Sequence, residues 1–117
     1  MKHTMKLNQE PYILIESGIK TIELRLYDDK RKLISVGDEI EFINSSNSDL
    51  SLSCSVIALH KFSSFEELYK HLPLLKCGYT EENISCASYR DMELYYSREK
   101  QSSFGVIGIE IQLIVIS

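Results

Sequence analysis

The 117-residue chain is short of cysteine and proline, and it has no repeat, no low-complexity tract and no long apolar run. Its three cysteines, Cys54, Cys77 and Cys86, are odd in number and widely spaced. They make neither a CxxC pair nor a disulfide framework, which fits a reducing cytoplasm. The opening residues, MKHTMKLNQEPY, lack the apolar run of a signal peptide. The most apolar stretch, Val106 to Ile116, is broken by Gly108, Glu110 and Gln112 and is too short to cross a bilayer. No GxSxG, P-loop or GxGxxG occurs. His3, His60 and His71 are too scattered to form a ligand set with any cysteine, so no metal or cofactor is expected and each reads as a surface histidine.

What is present is the composition of an ordinary globular protein, 44% hydrophobic and 26% charged. A chain of roughly 100–150 residues makes one typical domain, so residues 1–117 are expected to form one. At this size about two thirds of the unfolded surface is buried, enough for a core without staples. The net charge of -4 argues against coating nucleic acid non-specifically, because that affinity comes mostly from phosphate contacts. Nothing signals DNA in particular. A local cleft with a few cations remains compatible with this balance.

Periodicity divides the chain into short elements. His3 to Leu7 reads as a strand. Asn8 is an N-cap candidate for a helix from Gln9 to Ser17, with Leu14 and Ile15 inward and Gly18 ending it at positive φ. From Thr21 the period becomes two: Ile22, Leu24 and Leu26 alternate with Glu23, Arg25 and Tyr27. Val36-Gly37-Asp38 reads as a turn into a strand from Glu39 to Ile43. Asn44 to Asp49, NSSNSD, is a hairpin turn into a long strand carrying Leu50, Leu52, Cys54, Val56 and Ala58 on one face. Ser64 and Glu67 form a capping box for a helix with Phe65, Leu68, Tyr69 and Leu72 on its apolar stripe, stopped by Pro73. Ser88 and Asp91 suggest another capped helix, with Tyr89, Met92 and Tyr96 on one stripe and Ser97 to Lys100 as its solvated end. A closing strand places Ile107, Ile109, Ile111, Leu113 and Val115 on one face. Four or five strands with helices outside regular βαβ order predict an α+β fold, with a closed or partly closed barrel protecting the edges.

One stretch concentrates chemistry. Glu23 and Arg25, two apart on a strand, leave the same face. Lys20, in the turn after Gly18, can fold toward them. Two cations flanking a carboxylate keep it ionised, and such a cluster can bind a phosphate or carbonyl or polarise a water. On spacing alone the favoured reading is a solvent-facing salt-bridge ladder worth a few tenths of a kcal/mol. Tyr27 follows on the same face as a candidate wall. Tyr95 and Tyr96 diverge by about 100° on a helix. Tyr96 is expected inward and Tyr95 outward, where a ring can stack a base. Arg98 is a minor candidate for a phosphate contact. Cys54 and Cys86 read as buried small residues, and Cys77, beside Gly78, as a candidate thiol.

Gly18-Ile19-Lys20-Thr21-Ile22-Glu23-Leu24-Arg25 matches GxKxxExR and so resembles the signature of the ASCH domains, a branch of the PUA-like superfamily. The Val36-Gly37-Asp38 turn, Phe65 to Tyr69, Tyr95-Tyr96 and Phe104 to Ile109 follow in the matching order, so the resemblance covers nearly the whole chain. It implies a small PUA-like mixed β-barrel with flanking helices, and a cleft that takes RNA or a nucleoside or nucleotide ligand. Lys20, Glu23 and Arg25 are carried over as cleft residues. One subgroup looks like amidohydrolases acting on N4-acetylcytidine with a Lys, a Thr and a Glu. Here Lys20 matches the Lys, Glu23 stands at the Thr position, and Glu82 within Thr80 to Asn83 would supply the Glu. As a carboxylate cannot replace a hydroxyl nucleophile unchanged, Glu23 would have to orient a water as general base. A protein-interaction domain is a third reading, and the oligomeric state is open.

Overall fold

The computed structural model describes residues 1–114. Its frame is one five-stranded sheet built from β1 (Lys2–Leu7), β2 (Ile22–Leu26), β3 (Glu39–Asn44), β4 (Ser51–Phe62) and β5 (Val106–Leu113). The order across the sheet is β1-β3-β4-β5-β2. β1 runs parallel to β3, and the other pairs are antiparallel. Among the described residues the α-helices are α1 (Gln9–Glu16), α2 (Asp29–Lys32), α3 (Phe65–His71) and α4 (Arg98–Phe104). This is the expected α+β fold, and its sheet is a half-barrel. Val115, assigned above to the last strand, lies outside the described residues.

Both faces of the sheet are covered, and strand parity says which residues belong to which. Ile40, Phe42, Cys54, Val56, Ile107, Ile109 and Ile111 form one core cluster with Tyr12 and Ile15 of α1. Ile22, Leu24, Leu26 and Val106 form the other with Phe65 and Leu68 of α3. Opposite residues of an antiparallel pair share a face, and Glu23 stands across from Ile109 and Arg25 across from Ile107. The polar face of β2 therefore turns toward the first core cluster and not toward solvent. That explains why Glu23 is only 4% exposed.

Local signals place most elements. Gly18 takes φ 82° after α1, and Ser64 Oγ accepts from the Glu67 N–H at the start of α3. Asn8 occupies the N-cap position but its side chain does not cap. Its Oδ1 accepts instead from Ser45 Oγ at 3.1 Å, in the turn that follows β3. Leu14, expected inward with Ile15, is half-buried, and Tyr12 takes the inward place. The alternation of β4 breaks at a bulge between Val56 and Ala58, which leaves Ile57 exposed and moves Leu59 onto the core face. Such an extra residue shifts parity by one.

The segment from Ser88 departs furthest from expectation. Its capping box forms, but it starts a 3-10 helix, Tyr89–Leu94, rather than an α-helix. Tyr89, Met92 and Tyr96 still pack on the second cluster. Ser97 is not part of a helix end: it caps α4, with its hydroxyl accepting from the Lys100 N–H at 3.2 Å. Arg98 thus opens a helix and is held by Glu93 at 2.7 Å.

The cysteines and histidines complete the corrections. Cys54 is buried as expected and Cys86 is exposed. His3 is 8% exposed, with Nε2 2.8 Å from Asp38 Oδ2, so it is not a surface histidine. No group of three or more His, Cys, Asp or Glu is arranged to hold a metal ion among the described residues. No helix among them is long and apolar enough to cross a membrane.

Candidate functional site

β1 and β2 are the two ends of the strand order, and a cleft of about 420 Å³ opens beside them. It falls within the range of roughly 300–1,000 Å³ usual for small-ligand pockets. On its strand side lie Lys20, Glu23 and Arg25. Lys20 Nζ stands 2.7 Å from Glu23 Oε1, and Arg25 reaches Glu23 Oε2 at 2.8 Å. Arg25 Nη2 also donates to the Lys6 carbonyl at 2.8 Å, joining the two edge strands through a side chain.

Gly18 makes this arrangement possible. The turn after α1 points two N–H groups, of Ile19 and Lys20, at the Leu14 carbonyl, and Thr21 N–H then bonds the Lys76 carbonyl at 2.9 Å. Lys20 is thereby fixed just before β2 begins, and its stem lies against Gly78, whose φ of 113° excludes most side chains.

The triad is dry as well as close. The side chains of Lys20, Glu23 and Arg25 are only 10%, 5% and 14% exposed. Burial by itself would raise the Glu23 carboxyl, but Lys20 and then Arg25 outweigh it and hold the carboxyl below the usual range. Glu23 is therefore a fixed carboxylate at neutral pH with a cation on each oxygen. It is a weak proton acceptor, because a general base works best with a pKa near the operating pH.

The opposite wall comes from the irregular segment between α3 and α4. Cys77, Tyr79, Asp91, Met92, Tyr95 and Tyr96 all face the cleft. Tyr96 stacks on Phe65 with centroids 6.0 Å apart, while Tyr95 is 66% exposed. The expected inward and outward assignment of the pair agrees with this, although both rings reach the cleft. Tyr79 Oη lies 2.6 Å from Asp91 Oδ2 and 2.7 Å from Tyr69 Oη. Burial pushes the Cys77 thiol up to about 11, Lys20 only partly offsetting it, so Cys77 lines the cleft as a neutral thiol and not as a nucleophile.

Three candidate residues, Tyr27, Glu82 and Arg98, are not brought to the cleft. β2 ends at Leu26, and Tyr27 packs on the first core cluster. Its ring lies under Lys61 Nζ, 4.9 Å from the centroid, so it does not wall the site. Glu82 is exposed, and Asn83 of the same loop faces the cleft in its place. Asn83 Oδ1 accepts from the Thr80 N–H at 2.7 Å, closing the turn in which Glu82 stands. Tyr79 and Asp91 were missed because no local spacing joins them. The only trace was the Ser88–Asp91 capping signal, which reports a helix start and not a pocket.

The comparisons with known proteins agree with one another. The ASCH domain family matches residues 5–115. A hypothetical protein, PH0355, known from a crystal structure, is 32% identical with a TM-score of 0.80, covering 97% of this chain and 100% of that one. Protein PF0455 from Pyrococcus furiosus, solved by NMR, is 30% identical with a TM-score of 0.72, covering 99% and 100%. A mutant of ZmASCH from Zymomonas mobilis is 15% identical with a TM-score of 0.65, covering 93% and 66%, a likeness of fold alone. No curated protein matches the chain.

Proposed function

The chain belongs to the ASCH domain family and has its PUA-like half-barrel fold, and on that premise we propose that the cleft binds a nucleoside, free or displayed on an RNA. The observation that carries this reading is the buried Lys20–Glu23–Arg25 cluster facing a wall with Tyr95 and Tyr96. Lys20 spends one of its three N–H groups on Glu23 and keeps two for a ligand. Arg25 keeps part of its fork. Both can meet a carbonyl or a single negative group. Glu23 has a cation on each oxygen and orients both Lys20 and Arg25. The exposed ring of Tyr95 offers a stacking surface.

The charges of the cleft favour a base over a phosphate chain. Lys6, Lys20 and Arg25 are matched there by Glu10, Glu23 and Asp91. A site without excess positive charge gains little from counterion release, so most recognition falls to hydrogen bonds and stacking. The amidohydrolase reading keeps Lys20 and Glu23 but has Glu82 outside the cleft and Glu23 below the range of an effective base.

Titration with ribonucleosides and short single-stranded RNAs tests the proposal. Saturable binding by the wild type should weaken on the order of tenfold to a hundredfold in Lys20→Met, which keeps the stem and removes the charged donor. Equal binding by both proteins overturns it. Conversion of N4-acetylcytidine to cytidine above the level of Glu23→Ala would instead favour the hydrolase.

A further inference from the structure

We propose that the cleft has two unlike ends, and that Tyr79 and Asp91 form an acceptor end that selects ligands through a hydrogen-bond-donating group, the ribose diol or an exocyclic amine. The inference rests on the nucleoside reading and adds which part of the ligand the second wall reads.

Proton directions in the Tyr69–Tyr79–Asp91 chain are forced by the chemistry of its members. A carboxylate only accepts, so at 2.6 Å the single phenolic proton of Tyr79 goes to Asp91 Oδ2. Tyr79 then has none to give, and Tyr69, 2.7 Å away, must donate to it. Burial raises both phenols, Tyr69 to about 12, so each keeps its one proton at neutral pH. Asp91 Oδ2 takes a second bond, from the Ser88 N–H at 3.2 Å. What is left over is acceptor capacity. Tyr79 Oη retains a lone pair, and Asp91 Oδ1 takes no hydrogen bond among the described residues, although Asp91 faces the cleft.

The strand wall is the reverse. Lys20 and Arg25 can only donate, and both oxygens of Glu23 face these two cations. A ligand with an acceptor at one end and a donor at the other satisfies both walls. One that presents a carbonyl to Asp91 sets two acceptors against each other and leaves buried polar groups unpaired, which is the strongest source of rejection available to a small site. Two neighbouring acceptors suit two donor hydrogens, as a vicinal diol or an amine provides.

Calorimetric titrations can separate the sources. Adenosine and cytidine would be compared with inosine and uridine, which exchange the amine for a carbonyl, and with the 2′-deoxy forms, which break the diol. The wild type is expected to prefer the amine-bearing or the diol-bearing ligands on the order of tenfold or more. Asp91→Asn can keep its carbonyl on Ser88 and Tyr79 while placing an amide NH₂ where Oδ1 stood, and it should erase or invert that preference. Tyr79→Phe, which removes one acceptor, should reduce it, and it carries the test should Asp91→Asn fail to fold by its thermal transition. A wild type that binds all ligands alike, or variants that retain the preference, overturn the acceptor end and leave the nucleoside reading standing. Binding of none of them overturns both.

Discussion

The two walls of the cleft are held by different physics. On the strand wall every functional side chain sits within six residues, from Lys20 to Arg25, and the ladder from β2 to β5 fixes the backbone beneath them. On the other wall the chain from Leu74 to Leu94 runs through three 3-10 helices with little regular pairing. Side chains do the tethering there: Asn83 to the Thr80 N–H, Asp91 to Ser88 and Tyr79, and the Tyr79–Tyr69 contact. The strand wall holds its ion pairs on a sheet ladder, and the irregular wall holds its polar groups by their own hydrogen bonds. A buried charge is tolerable only when its partners stay in place, so the division follows from the cost of misplacing each kind of group.

Breaking the strand wall should have the largest effect. Glu23→Ala leaves Lys20 and Arg25 buried with no carboxylate between them, and removing one partner of a buried ion pair costs about 3–5 kcal/mol. Urea unfolding measures it, and a loss under about 1 kcal/mol would mean that water reaches the triad. Acid should have the same target. The folded carboxyl of Glu23 lies below its ordinary value of 4.5, because Lys20 and Arg25 outweigh the burial that would raise it. Its stabilisation is thus complete above about pH 4.5 and lost as pH falls through the lower folded value. Asp38, pulled down to about 2 by His3 and the Ser35 N–H, loses its share over the same descent from its ordinary 3.8. Unfolding midpoints followed from about pH 6 down to about pH 2 should decline less steeply in Glu23→Gln than in the wild type.

Where the walls meet, the expected effect is intermediate. Gly78 holds φ 113°, and a Cβ there would sit 3.4 Å from Lys20 Cδ. Gly78→Ala forces a side chain into backbone geometry that costs about 1–3 kcal/mol, and it presses on the Lys20 stem. Both stability and ligand affinity should fall together. Loss of stability with unchanged affinity would show that Lys20 keeps its place without Gly78.

The same contrast decides what could be read from the sequence. Gly18, Lys20, Glu23 and Arg25 were legible because strand parity and a positive-φ turn are local rules, and local spacing determines the geometry they share. What parity alone did not reveal is that the polar face of β2 is roofed: Glu23 is buried because β5 places Ile109 opposite it and α1 covers that face. Tyr27 obeyed the parity but lay past the end of the strand, where the core claimed its ring. Tyr79 and Asp91 come together across twelve residues through a side-chain bond, and no periodic pattern encodes such a pairing. The helix expected from Ser88 had a sound cap and an apolar stripe. It closed as a 3-10 turn, and Ser97 then began α4 at once.

The smallest effect on stability should come from the rim of the irregular wall, and it sharpens the contrast most. Tyr95 is 66% exposed, and its closest aromatic neighbour is Tyr96, 6.5 Å away between centroids. A side chain this exposed contributes little to the fold, so Tyr95→Ala should shift unfolding by no more than about 0.5 kcal/mol. If the ring stacks a base, the same substitution should weaken ligand binding by about 1–3 kcal/mol. Glu23→Ala would then damage fold and binding together, and Tyr95→Ala binding alone. A Tyr95→Ala protein that binds as the wild type does would remove the rim from the site and leave recognition to the hydrogen bonds of the two inner walls.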